Sequence, residues 1–544
     1  MSKLMNRFLI AVFLVVVGFL FFWMWSRSGS LTKAQRALDA GNPGKAVEIL
    51  VKVLEKKEWP ASEEEILLEM LAKSYINKGT IDPAEKTYRT LREKFPNNFE
   101  GAIGLGALNL MRGMDSFGVE HLLEAKKINP KDIRSHVLLA SHFINRRDYA
   151  KATSHLTDGL LLFPDNLRLM ELSGDLFFNQ GRYIDAISQF NNLLNSAPQD
   201  KNLKIKVARA YLYVGDLTTS FDLLESVRPS FGTDEGLELL LSNILHQKGE
   251  RREAARIVER LYLEDNRRFD SGLAWIVYLG SFGRMEEAER LLSKIGENLL
   301  PLGGGLSHPV AGQTFMDLER LQGWREMALR HHIYYFQVRS ILAGMGNRYS
   351  EAEKYLERAI NLDSGDFGTI EKFVDLFRLK NDPEESLKWA NRAIATYKDH
   401  PAAHLMKARI FLDLKRNQDA ISEIRIVMES YPSLSLPYAL LSRALMLEGK
   451  FKPGLVAANK SVHLNPGSPD AQLSLAIALN DSGQVAAAEK AFINALNIDP
   501  RFAEARFEWA MRLKKLGRYS EANTQFEEAE KLEPLRFKRT INSK

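Results

Sequence analysis

Four prolines, Pro96, Pro130, Pro164 and Pro198, follow one another at intervals of 34 residues, and four more near the C-terminus, Pro432, Pro466, Pro500 and Pro534, keep the same interval. A fixed period of this length is the signature of a repeat solenoid, in which one structural unit is stacked on copies of itself. It excludes a fold built around one central core.

Laid out in rows of 34, the chain repeats more than its prolines. One row carries Leu475-Ala476, Leu479, Gly483, Ala488, Phe492, Ala495 and Pro500, and the next carries Trp509-Ala510, Leu513, Gly517, Tyr519, Ala522, Phe526, Ala529 and Pro534. The row holding Gly174, Phe177, Gly181, Tyr183, Ala186, Phe190 and Pro198 does the same in the first half. Apolar residues at i, i+3, i+4 and i+7 give each half-row a helical period. The small residues at the eighth and twentieth positions mark where two helices approach too closely for a larger side chain. The glycine between the half-rows (Gly79, Gly113, Gly181, Gly215, Gly249, Gly283, Gly449, Gly483, Gly517) predicts a left-handed cap on the first helix. The proline then ends the second, because it lacks the donor that would continue the ladder.

These residues resemble the tetratricopeptide repeat (TPR) family, in which each unit is a pair of antiparallel helices. The expected fold is all-α, a TPR solenoid of about fourteen helix-turn-helix units in two sub-superhelices. Each unit packs only on its neighbours, so 544 residues need no single large core. Stacked pairs curve, and their first helices line a concave groove. The resemblance implies that a protein or peptide partner lies there, against the second, fifth, ninth, twelfth and thirteenth positions of each row.

Composition narrows the chemistry. No cysteine is present, which removes disulfides, thiolate metal sites and cysteine nucleophiles together. A net charge of +5 over this length gives no concentrated basic face for nucleic acid. The adjacent His331 and His332 point about 100° apart on a helix, whereas a helical metal pair wants i and i+4. The triple glycine at Gly303-Gly304-Gly305 lacks the strand before it and the Gly-Lys-Ser/Thr after it that a phosphate loop requires. The expectation is a non-catalytic chain with no cofactor, no metal and no small-molecule substrate.

Residues 8–25 differ from the rest. They are uncharged and apolar, flanked by Lys3 and Arg7 before and Arg27 after. As a helix they would span about 27 Å, close to the ~30 Å of a bilayer's hydrocarbon core. Trp23 and Trp25 stand where an interfacial aromatic belt would, and bulky residues occupy the place where a signal peptidase wants small ones. An uncleaved transmembrane anchor after a short basic N-tail (1–7) is therefore expected. A short positive tail is the form of a signal anchor that stays inside and sends the chain out. In a bacterial cell this places the protein in the inner membrane as a single-pass protein with a periplasmic array.

The rows assign residues 27–300 to an N-terminal array and 333–534 to a C-terminal array. Between them, 301–332 forms an irregular linker with an extra helix, and 535–544 is a basic tail. The groove positions include Arg409, Arg443, Arg378, Met446, Tyr334, Arg209, Tyr213 and Asn243. Arg409 and Arg443 stand at the same position of neighbouring units, where two guanidinium forks can grip a carboxylate or be paired with Asp375 or Asp413. No unit carries the Lys and Asn pair with which chaperone co-factors of the family clamp a C-terminal carboxylate.

The function expected is a membrane-tethered scaffold for envelope assembly, exopolysaccharide export or protein maturation and secretion. A regulatory adaptor facing the cytoplasm is the alternative. A TPR-linked glycosyltransferase-type enzyme is the third reading, but residues 301–332 are too few for a nucleotide-sugar fold.

Overall fold

The computed structural model describes residues 31–537, apart from 56–58, 231, 233, 298 and 300–317. The apolar segment 8–25, the glycine-rich stretch 301–309 and most of the basic tail lie outside those residues. Among the described residues there is no strand, and no helix is long and apolar enough to cross a membrane. Twenty-eight α-helices, from 31–39 to Tyr519–Leu532, follow one another as fourteen antiparallel pairs.

Each pair is built as the rows predict. After Pro96, Pro130, Pro164, Pro198 and Pro466 a polar residue two positions on caps the next helix, whereas Leu434 and Phe502 stand at that place after Pro432 and Pro500. After Pro96, the Asn98 side chain accepts from the Gly101 N–H at 2.7 Å, and after Pro198, Asp200 accepts from the Leu203 N–H at 3.0 Å. The nine inter-helix glycines all take positive φ. In units without the glycine, Arg147, Asn347, Asn381 and Lys415 take the same left-handed turn, at φ of 56° to 61°. Alanines and glycines at the close-approach positions are buried: a Cβ on Gly174 would lie 2.4 Å from the Phe190 ring. Leu318–Met345 is a single helix of 28 residues that runs through the boundary the rows place at 332 and serves as the first helix of the next pair.

The chain divides into two compact units, residues 1–164 with 301–328 and residues 165–300 with 329–544. In the first, the inter-helix turn at Gly113 sits against the Arg325 guanidinium, and Asp115 pairs with Arg146 at 2.9 Å.

In the second unit the solenoid winds far enough to touch itself. The turn at Gly181 meets His400, the turn at Gly215 meets Leu434, and the turn at Gly249 meets Gly467. Each is an inter-helix turn set against the inter-repeat loop that begins the pair six units later. Hydrogen bonds close this seam. The Tyr431 hydroxyl donates to the Gly181 carbonyl at 2.6 Å, and Asn465 donates to the Gln247 carbonyl at 2.9 Å. His400 Nδ1 accepts from the Ala402 N–H at 3.2 Å, so its Nε2 carries the proton and donates to the Tyr183 hydroxyl at 2.8 Å. Burial lowers the His400 pKa to about 4, which keeps the ring neutral at pH 7. Arg251 pairs with Asp499. Another turn also reaches across the array: Asn347 donates to the Lys531 carbonyl of the last pair, five pairs on, at 3.4 Å.

The seam predicts unequal costs for chemically identical changes. Gly181 and Gly483 share φ of +81°, but a Cβ on Gly181 would lie 2.7 Å from the His400 Cα whereas nothing lies within 4 Å at Gly483. Gly483→Ala should cost the ~1–2 kcal/mol of a left-handed alanine. Gly181→Ala should cost about 1–3 kcal/mol more from overpacking. Denaturant unfolding of both variants, with hydrogen exchange at residues 397–403, checks the order.

Candidate partner-binding groove

The first helices of the C-terminal pairs put their second, ninth and thirteenth residues on one face, and charge is concentrated there. Arg409 reaches Asp470 at 2.9 Å and Arg443 pairs with Glu504. Both contacts join a ninth position to the second position of the unit two further on, 61 residues away. Arg378 donates to Asp413 at 2.7 Å. Arg536, beyond the last helix, lies 3.2 Å from both Asp413 and Glu504.

The two arginines singled out by their spacing are therefore held by Asp470 and Glu504. Asp375 and Asp413, the partners weighed for them from sequence, do not pair with them: Arg378 and Arg536 take Asp413. Glu504 is almost buried, which by itself raises a carboxyl pKa. The charges of Arg443, Arg536, Arg378 and Arg409 outweigh that and hold it well below the ordinary glutamate value. Each guanidinium gives up a bond to an acid of the same chain before it can bind another, so this ladder first of all ties units to units.

The other candidate residues fall into two groups. Met446 faces away from the groove, buried in the core with Ala458, Leu473 and Phe492. It fills space opposite Gly454, where a Cβ would come within 2.6 Å of its sulfur. Tyr334 is partly buried against the cluster of Trp275, Leu279 and Leu342, and burial raises its pKa. Arg209, Tyr213 and Asn243, by contrast, are exposed. Arg209 has no ion-pair partner within 4 Å among the described residues. Tyr213 stacks on Tyr183 with ring centroids 4.7 Å apart, yet stays 43% exposed. Asn243 stands at the position of Arg209 in the next unit, where its amide oxygen accepts from Gln247 at 3.3 Å.

Tyr213 and Gln247 open onto a cavity of about 430 Å³. Its walls are Leu212, Leu217, Leu405 and Leu434, with Asp470 and Arg251 at the polar end. Apolar walls with a few fixed polar groups suit the insertion of a side chain from a partner. No group of three His, Asp or Glu side chains is placed to hold a metal among the described residues. The cavity was not legible in the repeat rows, because its two walls are nearly two hundred residues apart.

A pH dependence follows from Glu504. Its folded pKa is depressed, so its contribution to stability is full above the unfolded value of about 4.3 and is lost as pH falls through the folded value. Glu504→Gln should destabilise the C-terminal array by about 3 kcal/mol at pH 7, because it removes the acid that holds the near-buried Arg443. The gap from wild type should close steadily as the solution is acidified below pH ~4. Urea unfolding at a series of pH values measures both.

Models of the tetratricopeptide repeat match residues 68–98, 137–201 and 372–434. A TPR repeat-containing protein of Methanocaldococcus jannaschii is 22% identical over 474 residues, covering 84% of this chain and 73% of that protein. The BBSome complex member BBS4 of Bos taurus is 24% identical over 157 residues, 29% of this chain and 30% of its own length. Among solved structures, a tetratricopeptide repeat protein from Parabacteroides merdae superposes with a TM-score of 0.40 at 17% identity, over 50% of this chain and 99% of that one. A chain of the APC/C hetero-tetramer Cut9-Hcn1 does so with a TM-score of 0.35 at 13% identity, over 87% and 94%. The three matched segments are tetratricopeptide repeats, and they lie within an array of paired helices that has no strand among the described residues.

Proposed function

We propose that this chain is a non-catalytic scaffold, tethered to a membrane through residues 8–25, that holds a protein or peptide partner in its concave groove. The observation that carries the reading is the contrast within the groove. Its C-terminal arginines are committed to acids of the same chain, while Arg209, Tyr213 and Asn243 stand exposed, and Tyr213 forms part of the wall of a cavity of about 430 Å³. Arginine and tyrosine are among the residue types enriched at interface hot spots. The partner segment is acidic beside Arg209 and carries an apolar side chain for the cavity.

The apolar stretch 8–25 and its basic flanks support an inner-membrane anchor with the array in the periplasm, where the work is envelope assembly, polysaccharide export or protein maturation and secretion. An adaptor facing the cytoplasm uses the same groove from the other side.

Reporter fusions after Lys544 that are active on only one side of the membrane decide the orientation. External activity is expected, and internal activity would replace the envelope scaffold with the adaptor. In the same strain, Arg209→Glu should reduce recovery of the co-purifying partner at least tenfold without lowering the unfolding midpoint. Full recovery with that variant would remove the partner from this groove.

A further inference from the structure

We infer that the cavity beside Tyr213 is a site only while the superhelix is closed, so that taking up a partner side chain and closing the seam are one equilibrium. For its occupant the inference rests on the groove reading above. For the coupling it rests on the two walls of the cavity. Leu212, Tyr213 and Gln247 belong to the turn side of the seam, whereas Leu405, Leu434 and Asp470 belong to the loop side, six pairs further along the chain.

Each wall is stiff, and the joint between them is slight. On the turn side, Leu212, Leu237 and Leu241 share one buried cluster. On the loop side, Arg409 reaches Asp470 at 2.9 Å and ties the pair that starts at Pro401 to the pair that starts at Pro469. Three pairs separate the walls along the chain, and each packs on its own neighbours. A small rotation shared among those pairs parts the seam without unfolding any of them. Few polar contacts resist it: the Tyr431 hydroxyl on the Gly181 carbonyl, Asn465 on the Gln247 carbonyl, His400 on Tyr183, and Arg251 with Asp499.

The tightest approach is between two glycine backbones. A Cβ on Gly467 would overlap the Lys248 carbonyl oxygen and lie 2.8 Å from the Gly249 nitrogen. Gly467 does not take the positive φ that would call for glycine on its own account. Its missing side chain therefore serves the meeting of the two sides. A ligand that touches both walls binds the closed form and not the open one, so it stabilises closure by the same factor by which closure strengthens binding. A partner that fills the cavity thus locks the curvature of the array.

The test uses the full chain with Glu250→Cys on the turn side and Pro466→Cys on the loop side, both exposed and, in a chain without native cysteine, the only thiols. Spin labels on them, read as a distance in detergent micelles, report the seam. A photoreactive residue at position 213, used in cells, reports the occupant of the cavity. Gly467→Val should lengthen and broaden the 250–466 distance with the helical signal unchanged. It should also reduce the product at 213 at least tenfold, although no other residue of the cavity wall is altered. Tyr431→Phe, which removes only the hydroxyl on the Gly181 carbonyl, should move both readings the same way by a smaller step, and it carries the test if Gly467→Val loses helical signal. An open seam with an undiminished product at 213 would overturn the coupling. So would a distance that neither variant changes. No product at 213 in the chain with its seam intact would instead remove the occupant, and the groove reading would fall together with this inference.

Discussion

The structure depends on how closely the two helices of each unit approach. Where Gly174 faces Phe190 and Gly106 faces Leu122, a single added methyl would overlap the facing side chain at 2.4 Å and 2.7 Å. That contact sets the angle within a pair, and repetition turns a small rotation per unit into superhelical curvature. The seam, the groove and the cavity between them follow from the accumulated angle.

Two kinds of interaction then limit how far the spring can open. The ladder of Arg378, Arg409, Arg443 and Arg536 with Asp413, Asp470 and Glu504 crosses the groove from unit to unit. The seam joins turn to loop across six units through Tyr183, His400, Tyr431, Asn465 and Arg251. Near-buried ion pairs return little net stability, but breaking one strands a charge, so they fix geometry more than they add strength. A groove of fixed width is what a scaffold needs to select one partner.

Much of this was legible in the sequence, because it is local. Helix starts, turns and close approaches recur every 34 residues, and register alone places Arg147, Asn347, Asn381 and Lys415 in turns where no glycine marks them. The arginine partners were also within reach: Asp470 and Glu504 lie the same 61 residues after Arg409 and Arg443, a spacing that only two-unit steps reveal. Met446 stands at a groove position by number, but the twelfth position is buried in most pairs, as at Ile76, Leu110, Ile144, Leu212 and Leu412, and here it fills the gap left by Gly454. The seam was not legible. Its contacts join residues some 220 apart, and no single unit records the angle that brings them together.

A photoreactive residue placed at Tyr213 in the intact chain in its own cells tests the central claim most directly, with the same group at the exposed Arg256 as the reference. Light should then join position 213 to one discrete protein and leave position 256 without that product. Equal labelling from both positions, or none from 213, would contradict a partner held in the groove.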